Sequence, residues 1–199
     1  MRNAKFSVIE LLEDRIAPAT LLSPTTVTYT DKDGDAVLIK SSKPIFISAS
    51  IADSILRFDT GSVNGSNATS QQLQTIDLTF SAFGNTTGAQ LRAIASDTNL
   101  MVKTLPRLGV GNGQVDVGYI KAALIDSDNL EFFDNVDLGT VNIGGDLGRI
   151  DVGDSISDLA LMTLTARSLG KTTTQDPFDN GLQSNIFGGV GSIHVTGDV

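Results

Sequence analysis

A chain of 199 residues, 40% hydrophobic and 19% charged, is long and apolar enough to bury a sizeable core. Its 14 Lys and Arg stand against 23 Asp and Glu, and a net charge of −9 with no basic stripe argues against nucleic acid as a partner. With no Cys, disulfides, thiolate metal sites and Cys nucleophiles are excluded, and no stretch approaches the ~20 apolar residues that a transmembrane segment needs.

Residues 1–20 begin with Arg2 and Lys5, but Glu10, Glu13 and Asp14 interrupt the apolar run that a conventional signal peptide requires. Phe6, Ile9, Leu11 and Leu12 have helical spacing, and Pro18 would end such a helix. Leu12-Glu13-Asp14-Arg15, followed by Pro18-Ala19, resembles the N-terminal LEPR-XLL motif of very large bacterial surface or exported proteins. Asp14 stands where that family has Pro, and the Leu-Leu pair comes early, as Leu11-Leu12. The resemblance implies an export or sorting motif and an extracellular or cell-surface location.

Residues 21–137 read as a β-rich hairpin region, either a sandwich or the first rungs of a larger stack. Residues 26–30 and 36–40 are rich in β-branched side chains and flank a polar loop with Gly34, which predicts a β-hairpin. Asp31, Asp33 and Asp35 in that loop are the candidate metal ligands, because clustered carboxylate oxygens suit calcium. The loop is no EF-hand, since Gly34 is fourth and Ser42 twelfth in it. The alternative is a solvated acidic turn.

Further along, residues 45–51 and 54–58 read as extended. Residues 61–72 form a polar loop. Asn64, Asn67 and Asn85 begin glycosylation sequons, which read more simply as turn chemistry. Residues 73–80 alternate as a strand with Ile76, Leu78 and Phe80 on the buried face. Residues 89–95 and 100–104 are expected as strands, 109–113 as a loop, and 114–125 as one or two strands. Residues 126–137 are acidic and read as a loop whose Phe132 and Phe133 cap the core.

Residues 138–199 carry a repeat. Leu138, Val141 and Ile143 recur nine residues later as Leu147, Ile150 and Val152, each set followed by Gly and Asp. Val190, Ile193 and Val195 repeat the pattern, and Leu161, Leu164 and Ala166 form a degenerate copy. The two-residue step keeps two side chains on one face of a strand, and the glycines let the backbone turn at the corners. So short a unit can bury its apolar side only by stacking on neighbours, as in a parallel β-solenoid. The interval from Leu161 to Val190 predicts an inserted loop near residues 170–183. The units are similar to LGxVxVxGD repeats of the same giant bacterial proteins, which implies an extended β-helical stalk. Val199 follows directly on a closed repeat, which favours a piece of a longer chain over end-to-end stacking of copies.

Catalytic patterns are weak. His194 is the single histidine and reads as an outward strand residue between Ile193 and Val195. Ser192 and Asp198 lie near it without a nucleophile-elbow pattern. Gly188-Gly189-Val190-Gly191 starts like a calcium-binding nonapeptide but has Ile193 where Asp is required. Asp146, Asp151 and Asp154 are the fairest acid–base candidates, although Asp also belongs at such corners.

The expectation is an all-β chain whose antiparallel, hairpin-rich N-terminal region leads into a short parallel β-solenoid. Its expected role is a non-catalytic structural or adhesive module of an exported bacterial surface protein. Its partners would be copies of itself, neighbouring repeats of the same chain, a glycan or the cell envelope. The alternative is a carbohydrate-active β-helix enzyme or glycan-binding module.

Overall fold

The structure, a computed structural model, describes residues 19–65, 69–106, 111–124, 135–154, 158–171 and 182–197. The N-terminal motif, the Phe132-Phe133 pair and most of the predicted insertion lie outside them. The described residues are mostly β, arranged in two mixed sheets. No helix among them is long and apolar enough to cross a membrane.

The chain opens antiparallel. Strands β1 (Thr20–Ser23), β2 (Thr26–Thr30) and β3 (Ala36–Ser41) form a meander. The predicted hairpin is present, with Thr30 opposite Ala36. Val27, Tyr29, Val37 and Ile39 alternate into the core, as a pleat with one buried face requires. Helix α1 (Ala49–Ile55) follows where an extended run was expected. Ser48 caps it by accepting the Ile51 N–H, and Ala49 and Ala52 favour helix over strand. Strand β4 (Leu56–Phe58) then pairs antiparallel with β5 (Leu73–Asp77).

A second correction falls on residues 89–95, which belong to helix α2 (Asn85–Ala95) and not to a strand. Leu91 and Ala95, one turn apart, are its buried pair. Short apolar runs are ambiguous between the two periods, and the Ala-Gln-Leu-Arg-Ala composition favours the helix here. The strand expected over 73–80 ends at Asp77. Leu78 and Phe80 are buried, but Phe80 has φ +55°, outside strand geometry.

From β5 onward the chain alternates between the sheets. Strands β6 (Thr98–Thr104), β8 (Leu138–Ile143), β10 (Leu159–Ala166) and β13 (Gly189–Val195) lie side by side in parallel. They continue the sheet begun by the meander, in the order β1-β2-β3-β6-β8-β10-β13. The other sheet runs β4-β5-β7-β9-β11, with β7 (Val117–Lys121), β9 (Asp146–Val152) and β11 (Ser168–Leu169) parallel to β5. Strand β12 (Asn185–Ile186) also pairs with β9.

The nine-residue unit therefore fills one strand in each sheet: its first copy is β8 and its second lies in β9. Gly145 sits in the bend between them, where a Cβ would run into the carbonyl of Val115. All six repeating positions, Leu138, Val141, Ile143, Leu147, Ile150 and Val152, are buried in one continuous apolar core. Each such burial is worth roughly 1.5–3 kcal/mol before chain entropy is subtracted. The degenerate copy is real in space: Leu161 and Leu164 stand beside Leu138 and Val141 on one side and Val190 and Ile193 on the other.

The insertion splits a strand. Ser168 and Leu169 pair with Asp146 and Leu147, while Asn185 and Ile186 pair with Asp151 and Val152. Residues 170–184 thus span an interval for which β9 has three residues, 148–150.

Candidate metal centre

The turn from β2 to β3 holds Asp31, Asp33 and Asp35. Asp31 and Asp35 are buried and Asp33 is exposed. The Asp31 N–H donates to the Asp35 carbonyl at 2.9 Å, and the Asp35 N–H donates to Asp31 Oδ1 at 2.7 Å. These bonds curl the loop so that one oxygen from each carboxylate lies within 4.8 Å of the other two. An ion bound at about 2.4 Å, the calcium distance, draws oxygens to about this separation.

A second loop supports the first from 78 residues away in sequence. The Asn112 N–H donates to Asp33 Oδ2 at 3.1 Å, and the Gly113 N–H donates to Asp35 Oδ2 at 2.7 Å. Gly111 and Gly113 have φ of +78° and +74°, which favours glycine, and a Cβ on Gly111 would strike the Asp35 carboxylate. Each carboxylate thus accepts at least one backbone N–H, which fixes its orientation in the loop. The glycine run of residues 109–113 was legible as a loop, but nothing in the sequence announced its meeting with the hairpin.

No Lys or Arg among the described residues pairs with the three carboxylates. The loop's own cation, Lys32, turns to Asp59 at 2.5 Å. Burial, with the hydrogen bond and charge of Asp33, pushes Asp31 up to about 7. The same hydrogen bond lowers Asp33. The two carboxylates repel each other, and a shared proton or a bound cation would relieve that repulsion. Behind Asp31, Tyr29 is buried with no hydrogen-bond partner for its hydroxyl. Burial first, then the charges of Asp31 and Asp116, raise its pKa well above 10.0.

The proposed acid–base carboxylates are placed differently. Asp151 is fully buried and accepts from Tyr119 Oη at 2.5 Å, from Arg149 at 2.5 Å and from the Asn185 backbone and side-chain amides at 2.9 Å. Asp146 is buried against Arg167 at 2.5 Å and Lys171 at 3.4 Å. Burial raises its pKa, but the nearby Ser168 hydroxyl, the Arg167 hydrogen bond and the charges of Arg167 and Lys171 bring it below the usual carboxylate range. The Asp154 N–H donates to Asp137 at 3.2 Å. His194 is exposed on β13, opposite Thr165. Asn64, read as a turn residue, has φ +57° and holds the edge of β1: its side chain accepts the Leu21 N–H at 2.9 Å.

No protein-family model, curated protein or solved structure matches the chain.

Proposed function

We propose that the chain is a non-catalytic structural module of an exported bacterial surface protein, in which alternating parallel strands stack as the rungs of a short β-solenoid. The observation that carries this reading is a shared register. Thr98, Leu138, Leu161 and Val190 stand in one row, and Leu100, Val141, Leu164 and Ile193 in the next. Aligned rows across successive strands, apolar apart from Thr98, yield a stiff, repetitive body. The antiparallel meander and β4 seal its first rung. The committed ion pairs of Asp146 and Asp151 suit a scaffold better than an acid–base site, which needs a carboxylate free to trade protons.

The acidic hairpin is, on this proposal, a calcium site that locks the antiparallel cap. Supporting it are the spacing of the three carboxylates and their lack of a cationic partner among the described residues. Melting in chelator and then in millimolar calcium tests it. A rise of several degrees is expected, and identical curves would remove the site.

Rung stacking is tested by lengthening the protein. Leu161 pairs beside Leu138, so residues 138–160 are the interval between equivalent positions on neighbouring strands. Two extra copies inserted after residue 160 should fold and lengthen the particle by about 9–10 Å in small-angle scattering, since adjacent strands lie about 4.8 Å apart. An unfolded product, or one of unchanged length, defeats the rung reading. Export is a separate question. Residues 1–20 fused to a reporter should direct it out of a bacterial cell, and retention inside refutes that part.

A further inference from the structure

We propose that a cavity on the outer face of the seven-stranded sheet binds a uronate, a single sugar residue that carries one carboxylate. The inference goes beyond the structural role above and does not depend on it. The cavity measures about 320 Å³, at the small end of the range for small-molecule sites. It lies across β3, β6 and β8, where Lys40, Met101 and Asn142 stand in one row. Their neighbours Ile39, Val102 and Val141 are buried, so this row faces outward. Ser42, Asn99 and Thr140 also line the cavity.

A local irregularity builds the wall. The register of β6 on β8 shifts between Thr98 and Leu100, so that Asn99 faces an extra residue of β8. Its side-chain oxygen accepts the Thr140 N–H at 2.7 Å, a reach that Gly139 permits, because a Cβ there would strike that oxygen. With the oxygen committed, the NH2 group of Asn99 remains as a donor at the cavity. Ser42 is fixed by the same residue. Its Oγ accepts the Asn99 N–H at 2.9 Å, and its backbone N–H donates to the Asn99 carbonyl at 3.0 Å. The Ser42 hydroxyl proton is thereby left to donate.

The lining is thus rich in donors and holds one full charge. Lys40 is exposed and has no ion-pair partner among the described residues. Among the described residues no carboxylate lines the cavity, although the chain carries 23 Asp and Glu and a net charge of −9. Asp97, on the turn before β6, stays out of it, and Lys103 lies two residues beyond Met101 on the same face of β6. A spot of positive potential on an acidic protein selects for an anion.

The neutral groups narrow the anion to a hydroxylated one. A single ammonium matches one carboxylate, whereas a phosphate dianion would leave charge uncompensated. The Asn99 and Asn142 amides and the Ser42 and Thr140 hydroxyls suit sugar hydroxyls, each of which both donates and accepts. The half-buried Met101 side chain offers an apolar flank to the C–H face of the ring.

Titration of the full chain with glucuronate, followed by two-dimensional amide NMR, tests the proposal. Binding in the millimolar range is expected, with shifts gathered at Lys40, Asn99, Met101 and Asn142. Glucose, which lacks the carboxylate, and acetate and inorganic phosphate, which lack the sugar hydroxyls, should each bind at least about tenfold more weakly. Lys40→Gln and Asn142→Ala change exposed residues, so both should keep the parent fold by circular dichroism. Lys40→Gln should weaken glucuronate binding about tenfold, the scale of one lost charged hydrogen bond, and Asn142→Ala should weaken it several-fold. Arg57→Gln, exposed on β4 of the other sheet, should leave the constant unaltered. The absence of any shift with glucuronate overturns the proposal. So does equally tight binding of glucose, acetate or phosphate, or a response to Arg57→Gln and not to Lys40→Gln.

Discussion

Replacing Asp31 by Asn separates the charge of the acidic hairpin from its geometry. The amide oxygen still accepts the Asp35 N–H, but the carboxylate that resists ionisation is gone. In chelator the variant should melt several degrees above the parent at pH 8, and it should lose most of any calcium response. The pH dependence has a definite sign. Asp31 is raised from its ordinary value to about 7, so its contribution is complete below about pH 4 and is lost as pH rises through about 7. Asp146 is depressed, so its contribution is present above about pH 4 and is lost as pH falls through its lower folded value. Denaturant midpoints in chelator should therefore peak between about pH 4 and 7, with calcium shifting the peak upward. A midpoint that does not fall between pH 5 and 8 in chelator would contradict the Asp31 assignment. Asp151 is a different case. Its removal takes a buried acceptor from Arg149, Tyr119 and the Asn185 amides, so Asp151→Ala should cost about 3–5 kcal/mol in urea titration, the range for breaking a buried pair.

At the level of elements, position in the stack decides cost. Leu164 lies between Val141 and Ile193 and is fully buried. Leu164→Ala should lose about 2–5 kcal/mol, since a side chain enclosed on both sides leaves a cavity. Ile193→Ala, one strand outward, should lose less than about 1.5 kcal/mol, because water already reaches it. Equal losses at the two positions would mean that β13 is covered after all. The same rows explain what the sequence disclosed. The nine-residue spacing predicted β8 and β9, and even the degenerate copy, because period and burial agree there. The strands expected over 45–51, 54–58 and 89–95 gave way to helix at Ala49–Ile55 and Asn85–Ala95, where short apolar runs fit either period and capping and alanine content decided. The acidic hairpin was legible because its partners are local. Its support from Asn112 and Gly113 was not, since that contact depends on the return of a distant loop.

Across the whole molecule, the two ends of the long sheet are unlike. One end is an antiparallel meander with its edge held by Asn64, and the other is a parallel strand that pairs, among the described residues, with β10 alone. In stacked architectures each layer is stabilised mainly by its neighbours, so opening begins where a layer has only one. β8 has strands on both sides, β6 and β10, and its Val141 is fully buried. Its amides should exchange with deuterium only through global unfolding. The amides of β13 should exchange through local fraying, at least about tenfold faster. Equal protection of β8 and β13 would show that β13 is held as firmly as the interior, and the predicted order of opening along the sheet would be wrong.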